Sequence, residues 1–376
     1  MTLERRSTSA HQGVRQVGRL VLPRIFHVGF VLSAALSVGL LALFVLSLNA
    51  SGWNVRSPAL TVVLLILLIV DAVGCVGIVV FDYNTLLPQA DVIVRATLVS
   101  TLLTVVVDTI NKGVGITQLV YLFQFGCIIG FELSTEQRAL RHEALPAPWE
   151  ISDDPERRRY IPLNFFNLFW VFVVASVAGL AIETVWHALI TGQYENRAGL
   201  LWGPFSPIYG FGAVLMTIAL NRWWNRSKVV IFVVAGVIGA AFEFAVSWIL
   251  ETSFGIVAWN YAGSFLSVDG RTNFAAACAW GFLGLVWIRL LLPDLLKLVD
   301  AVPVRARAAL TIAVAMFLLV DVAMTLITTD RWYGRAAGVP ASNAVEQYVD
   351  AHYGDAEMAA HFPTMNLDPS RAQRTR

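Results

Sequence analysis

The sequence predicts an all-α fold: a polytopic bundle of about nine membrane-spanning helices, with a parallel two-unit repeat in its C-terminal half. Three observations predict it. The 376 residues are 57% hydrophobic and only 14% charged. Several apolar runs exceed the roughly eighteen residues that mark a spanning helix, which excludes an ordinary soluble domain. The order Gly-x-x-x-Glu, aromatic-rich loop with one Arg, and Trp-Gly occurs twice in the second half.

Residues 1–24 carry Arg5, Arg6, Arg15, Arg19 and Arg24 against Glu4 and abut the first apolar run, so they read as a cytoplasmic basic tail. They lack interleaved aromatics, and no nucleic-acid partner is expected. The run Ile25 to Leu48 is longer than a usual signal core and has no clear small-x-small cleavage site after it; it is expected to stay as a first span. Further spans at 58–81, 92–110 and 114–133 make 25–133 a four-helix membrane region. For Asp71 and Asp108 within it, interhelical hydrogen bonding or a water-facing helix end is the plainer account, ahead of a transport role.

Residues 134–162 hold Pro146, Pro148, Pro155 and Arg157-Arg158-Arg159 and read as a cytoplasmic linker between two membrane halves. Five spans follow at 163–190, 205–224, 229–251, 273–292 and 308–328, forming a second membrane domain over 163–328. Residues 329–376 read as a polar tail with a short amphipathic helical stretch. Cys75, Cys127 and Cys278 all lie in apolar runs and read as small core residues, too scattered for a disulfide framework or a thiolate metal site.

A cytoplasmic N-terminus satisfies the positive-inside rule. Leaving aside the tail from 329 onward, which nine spans would put outside, segments then assigned to the cytoplasm hold sixteen Lys and Arg, against Arg56, Lys112, Arg197 and Arg271 outside. The expected location is a cell membrane crossed many times, such as the bacterial inner membrane, with the lipid bilayer as the first partner. Trp53, Trp223, Trp224 and Trp332 fall near expected interfaces, where indole belts anchor a bundle.

The stretch from Gly179 to Gly212 organises the rest. Glu183 and His187 are four residues apart, hence on one helical face inside an apolar span. Tyr194 and Arg197 follow in a polar excursion, and then Trp202-Gly203-Pro204, Pro207, Tyr209 and Gly210. The second occurrence has Gly239 and Glu243, then Trp259, Tyr261, Gly270-Arg271 and Trp280-Gly281. Both units cross in one direction, so Glu183 and Glu243 are expected at similar depth near the outer leaflet, with Arg197 and Arg271 above them. Either the arginines neutralise the acids, or the four surround a ligand. Gly179 and Gly239 precede their Glu on the same face and invite close helix approach. Pro204 and Pro207 suit a helix start, or a partly unwound segment lining a site.

At these residues the chain resembles the "putative ABC-transporter type IV" permease family of bacterial membrane proteins. The family's pattern of a helical Glu, G-x-[FY]-x-N-R-G and G-P-x-x-P-I-Y-G-x-G stands here as Glu183, Gly192-Gln193-Tyr194-Glu195-Asn196-Arg197 and Gly203 to Gly212. Glu243-Phe244, Glu251, Trp259-Asn260-Tyr261, Gly270-Arg271, Trp280-Gly281 and Pro293 match downstream, and so do Arg331-Trp332, Arg335, Asn343, Glu346, Asp350, Tyr353, Met358, Phe362-Pro363 and Met365. The likeness covers about 163–367. It departs at Ala198-Gly199, where the family has Gly directly after Arg, and at Leu180, and His187 lies outside the pattern. The resemblance implies transport. No G-x-x-x-x-G-K-[ST] loop occurs in the chain, so an ATPase, if one takes part, has to be a separate subunit.

The leading reading is therefore a permease component with a substrate-binding set of Glu183, His187, Tyr194, Arg197, Trp202, Tyr209, Glu243, Trp259, Tyr261 and Arg271. Its substrate would be a small molecule, an ion or a lipid. No residue is assigned to catalysis, and no cofactor or metal is expected. Two alternatives stay open: an embedded enzyme using its carboxylates for acid–base chemistry on a lipid-like substrate, and a structural or accessory subunit in which Glu–Arg pairs only fix packing.

Overall fold

This computed structural model describes residues 24–51, 57–81, 88–142, 163 and 165–374. The expected basic tail, up to residue 23, and linker residues 143–162 lie outside them, apart from Arg24. The chain divides into two units, Met1–Val107 with Val120–Phe131 and Asp108–Leu119 with Glu132–Arg376.

In the first unit, α1 (Arg24–Ala50), α2 (Pro58–Phe81), α3 (Pro88–Lys112) and α4 (Ile116–His142) supply the helices. Apolar residues cover nearly all their faces, as lipid-facing helices require, so the polar residues mark the interior. Phe30, Ile78, Val94 and Ile128 pack together, and Phe44, Leu48, Leu64, Leu68 and Tyr121 form a second cluster. Ser33, Ser37, Asp71, Thr101 and Gln124 are buried. Asp71 accepts hydrogen bonds from Ser37 and Thr101 on neighbouring helices.

The second unit contains α5 (Phe165–Thr191), α6 (Pro207–Leu220), α7 (Lys228–Phe254) and α8 (Phe274–Val286). A π-helical turn at Trp287–Leu291 leads from α8 into α9 (Leu292–Asp300), and α10 runs over Val304–Ala336. Phe166, Val171, Met216, Leu220, Ile231, Trp287, Leu292 and Leu296 build its core. The Trp287 indole donates to Thr217 Oγ1 at 2.8 Å, which satisfies a polar group that lipid cannot.

Among the described residues, seven helices are long and apolar enough to cross a membrane: Val28–Ala50, Pro58–Val80, Val92–Lys112, Phe165–Thr191, Lys228–Phe254, Phe274–Val299 and Ala309–Ala336. Two of the nine expected spans, 114–133 and 205–224, fall instead on the shorter apolar helices Ile116–Gly130 and Pro207–Leu220. The physical reason is clear for α6. Residues 192–206 are not helical, and 14 residues of helix rise only about 21 Å. At the other end, α10 continues eight residues past the expected end of its span at 328.

The tail is folded. α11 (Ala344–His352) and α12 (Asp355–His361) follow α10, and β2 (Asn366–Leu367) pairs antiparallel with β1 (Ile256–Val257), a two-residue addition to an otherwise helical fold. Arg331 donates to Asp350 at 2.7 and 3.0 Å, and Arg335 reaches Asp350 and Asp355 at 2.6 Å each. Met358 and Phe362 are buried against Trp332. Arg374 pairs with Asp330 at 2.5 Å, stacks over Tyr333 at 4.0 Å and donates to the Ser253 carbonyl. The turn after α3 is tied in as well, because Val114 N donates to Asp330 at 3.0 Å.

Gly255 follows α7 with φ +66, and a Cβ there would lie 2.1 Å from the Asp368 carbonyl oxygen. Gly255→Ala is therefore expected to separate β1 from β2 and expose residues 366–374 to protease in the purified protein. Hydrogen bonding from Arg331 holds the Asp350 carboxyl below its ordinary value of 3.8. A depressed carboxylate stabilises the fold above its unfolded pKa and ceases to do so as pH falls through the folded value. Hydrogen exchange over residues 344–361 is expected to stay slow from pH 8 to 5 and to accelerate only below about pH 4. Arg331→Ala is expected to remove that protection at neutral pH, costing the cap about 3 kcal/mol.

Candidate functional site

The site begins where α5 and α6 touch. An added Cβ at Gly179 would lie 2.3 Å from the Tyr209 ring, so the phenol crosses α5 where it has no side chain. Tyr209 sits in the first turn of α6, which opens on Pro207, a position that needs no N–H. Ser206 N bonds the Ser176 carbonyl at 3.2 Å. From there the Tyr209 hydroxyl reaches back and donates to Glu183 Oε2 at 2.7 Å.

Around Glu183 the structure gathers His187, Arg197 and Glu195. Arg197 Nη1 lies 3.5 Å from Glu183 Oε1, and its Nη2 lies 2.6 Å from both Glu195 Oε2 and His187 Nδ1. A guanidinium only donates, so His187 Nδ1 accepts and the neutral ring carries its proton on Nε2, 3.3 Å from Glu195. Glu195 was not singled out among the sequence candidates, although it lies two residues before Arg197. Its alternation with Arg197 in an extended segment was the available signal. Tyr194, by contrast, is 78% exposed and takes no part in this network.

Glu243 has a different environment. It lies in α7, is 8% exposed, and accepts from the Tyr261 hydroxyl and from Thr272 Oγ1, each at 2.9 Å. The Trp280 indole lies beside the same carboxyl. An added Cβ at Gly239 would lie 2.2 Å from that same indole. Thr272 and Trp280 were not predicted as partners.

Arg271 was expected above Glu243, and it meets the outer end of the same helix, but its ion-pair partner there is another acid. Its guanidinium pairs with Glu251 at 2.5 Å and Asp269 at 2.9 Å, and Arg371 joins Glu251 at 3.1 Å. Glu251 is two helical turns beyond Glu243, at the end of α7, where a loop arginine reaches it without entering lipid. Trp259 contributes by donating from Nε1 to the Arg271 carbonyl at 2.8 Å, which fixes the loop. The Tyr261 hydroxyl is raised above its ordinary value, first by burial, then by the charge of Glu243 and its hydrogen bond, and also by the charge of Glu183.

The irregular backbone before α6 is the third component. Gly199 N bonds the Phe205 carbonyl, Leu201 N bonds Thr325 Oγ1, and Trp202 N bonds Asp321 Oδ1, each at 2.9 Å. Asp321 is fully buried in α10. Non-helical backbone survives at membrane depth only when the protein satisfies its polar groups, and Asp321 and Thr325 do so here. Of Trp202, then, it is the main chain that is held; the side chain is 37% exposed. The tail closes over the same loop, with His361 Nε2 3.1 Å from the Leu200 carbonyl and Asn196 Nδ2 donating to the His361 carbonyl at 3.1 Å. Among the described residues no group of three His, Cys, Asp or Glu is arranged to hold a metal ion.

Asp321→Leu is expected to leave the Trp202 amide unpaired and to destabilise the second unit by about 1–3 kcal/mol. Asp321→Asn, which keeps an acceptor, is expected to recover most of that loss. Thermal unfolding in detergent measures both.

No curated protein and no solved structure matches the chain. One sequence family does, and the match begins inside α5, ends inside α10, and takes in Glu183, Arg197, Tyr209, Glu243, Tyr261, Arg271 and Asp321. Over residues 170–326 this membrane-helical chain matches the family described as "Putative ABC-transporter type IV".

Proposed function

We propose that the second unit is the solute-handling part of an ABC-transporter-type permease, and that Glu183 and Glu243 take up a cation or a proton from the outer side. The observation that carries this reading is Glu243, buried in a spanning helix and held by two neutral hydroxyl donors, with no cation paired to it among the described residues. A carboxylate in that position has charge to spare for a positively charged solute or a proton. Tyr261 donates to Glu243, and Arg197, already beside Glu183, offsets part of the negative charge of the site.

The unwound Gly199–Ser206 segment gives access at that depth, as interrupted helices do in other transporters. His187 and Glu195 set the orientation of Arg197, and Trp259 and Arg271 hold the opposite loop. Trp202 and Tyr194 flank the entrance. The solute class is a small organic or inorganic cation. Transport would draw on ATP only through a separate ATPase subunit, since the chain has no phosphate-binding loop.

The same reading makes the second half a parallel repeat. Its support is a matched set of contacts: Gly179 meets Tyr209 and Gly239 meets Trp280; Gly210 meets Phe172 and Gly281 meets Phe232. Tyr209 donates to Glu183, and Trp280, in the corresponding place, lies beside Glu243. The register this favours aligns Tyr209-Gly210 with Trp280-Gly281, rather than Trp202-Gly203 as the sequence pattern proposed. Counting α4 and α6 as crossings gives nine, with the N-terminus in the cytoplasm of the cell and the site facing outward.

Uptake and efflux of a panel of amines and metal cations, compared in cells with and without the protein, tests the proposal. At least one solute is expected to differ severalfold between them. Glu243→Gln is expected to abolish that difference while the protein remains in the membrane at its normal level. A panel with no difference, or a Glu183→Gln, Glu243→Gln double variant that transports normally, would sink it.

A further inference from the structure

The first unit encloses a polar cluster that plays no part in the reading above. Ser33 and Ser37 belong to α1, Asp71 to α2, Thr101 to α3 and Gln124 to α4, and each is at most 2% exposed. Ser37 Oγ donates to Asp71 Oδ2 at 3.2 Å, and Thr101 Oγ1 contacts Asp71 Oδ1. Gln124 Nε2 donates to the Ser33 carbonyl at 3.1 Å and to Ser37 Oγ. Four helices thus place a carboxylate, two hydroxyls, an amide and a main-chain carbonyl around one point near the middle of the span.

Two features of this cluster go beyond helix packing. The first is charge. Among the described residues no ion pair involves Asp71, so a carboxylate at hydrocarbon depth has no countercharge, and that is expensive. The second is a shortage of hydrogens. Thr101 Oγ1 lies against both Asp71 Oδ1 and, at 2.9 Å, the Thr97 carbonyl, with a single proton to give. Gln124 Oε1 is buried with no donor, and Ser33 Oγ makes no hydrogen bond either, with only the weakly donating Cys127 thiol beside it. A proton on Asp71 would remove the charge and supply one hydrogen, but it would leave Gln124 Oε1 unpaired. A metal cation draws on the Asp71, Thr101 and Ser37 oxygens together, and on the Gln124 oxygen once that amide has turned over.

We infer that Asp71, Thr101, Ser37 and Gln124 form a binding site for one monovalent alkali cation, for which sodium is the probe. The donors are hard oxygens, which suit alkali and alkaline-earth ions rather than thiophilic metals. The charge selects between those two groups. One carboxylate neutralises one positive charge, whereas a divalent ion would leave a surplus charge inside the bilayer. The amide of Gln124 serves by turning over, since its oxygen and nitrogen have nearly the same shape and either can face Ser37. The site needs no residue of the second unit.

Thermal unfolding of the purified full-length protein in sodium chloride, against choline chloride at equal ionic strength, tests the inference. Sodium is expected to raise the midpoint saturably, by about 3 °C or more, because a ligand bound only by the folded state stabilises it. Asp71→Asn and the milder Thr101→Val are expected to abolish the sodium dependence. Equilibrium binding of radioactive sodium to the unmutated protein reads the site without any variant, so a substitution that fails to fold leaves the inference open to refutation. Equal midpoints in sodium and choline, no retained sodium, or a midpoint that follows pH alone would overturn it; the last outcome would make Asp71 a proton site.

Discussion

The second unit depends on the bond between the Trp202 amide and the Asp321 carboxylate. In lipid a main-chain polar group cannot fall back on water, so each stretch of non-helical backbone must be matched by side chains from elsewhere. Asp321 and Thr325, one turn apart on α10, offer acceptors to two successive amides of the loop before α6. With those amides satisfied, the loop can run inward beside α5, and α6 can begin at the depth of Ser176. That depth is what brings the Tyr209 hydroxyl to Glu183. A helix continued through residues 199–206 would start too far out for the contact.

The two acids that follow from this arrangement are not equivalent. Glu183 is partly exposed, and its neighbours are charged: Arg197 beside it, and Glu195 on the far side of the guanidinium. Glu243 is buried, and its neighbours are neutral. Partial hydration makes an ion pair affordable around Glu183, while burial favours donors without charge around Glu243. Tyr261 belongs to the Glu243 side of this arrangement, where its hydroxyl is one of the neutral donors. The tail contributes as well, by covering Leu200 and clamping Glu251 through Arg371. It is a structural part of the site-bearing unit, not an appendage.

The match to a transporter family over residues 170–326 falls on these elements and leaves the first unit outside. The first unit has its own polar interior around Asp71, organised by small hydroxyl residues at helix contacts. Its logic is the same. Polar atoms inside the bilayer are worth keeping only where they hold each other or hold a ligand.

Much of the fold was legible in the sequence because apolar length is a local property. The long runs announced the spanning helices, and Gly179 and Gly239 announced close contacts four residues before each acid. Pro207 marked a helix start, and the charged pattern in the tail, from Arg331 to Asp355, carried the residues that fold it back. What spacing could not reveal was which acid each loop arginine would choose. Arg271 lies at the end of a long loop, and whether it meets Glu243 or Glu251 depends on how far that loop folds over α7, a distance set by the Trp259 and Tyr261 contacts. The partner of the lone Asp321 was equally unreadable, because it is a main-chain amide 119 residues away, although the sequence already favoured a hydrogen-bonding role for that acid. Sequence by itself determined a helical membrane protein with two acids, Glu183 and Glu243, inside apolar helices. Only the tertiary structure decided their partners, because in lipid a partner is assigned by depth and direction, and neither is written in the order of the residues.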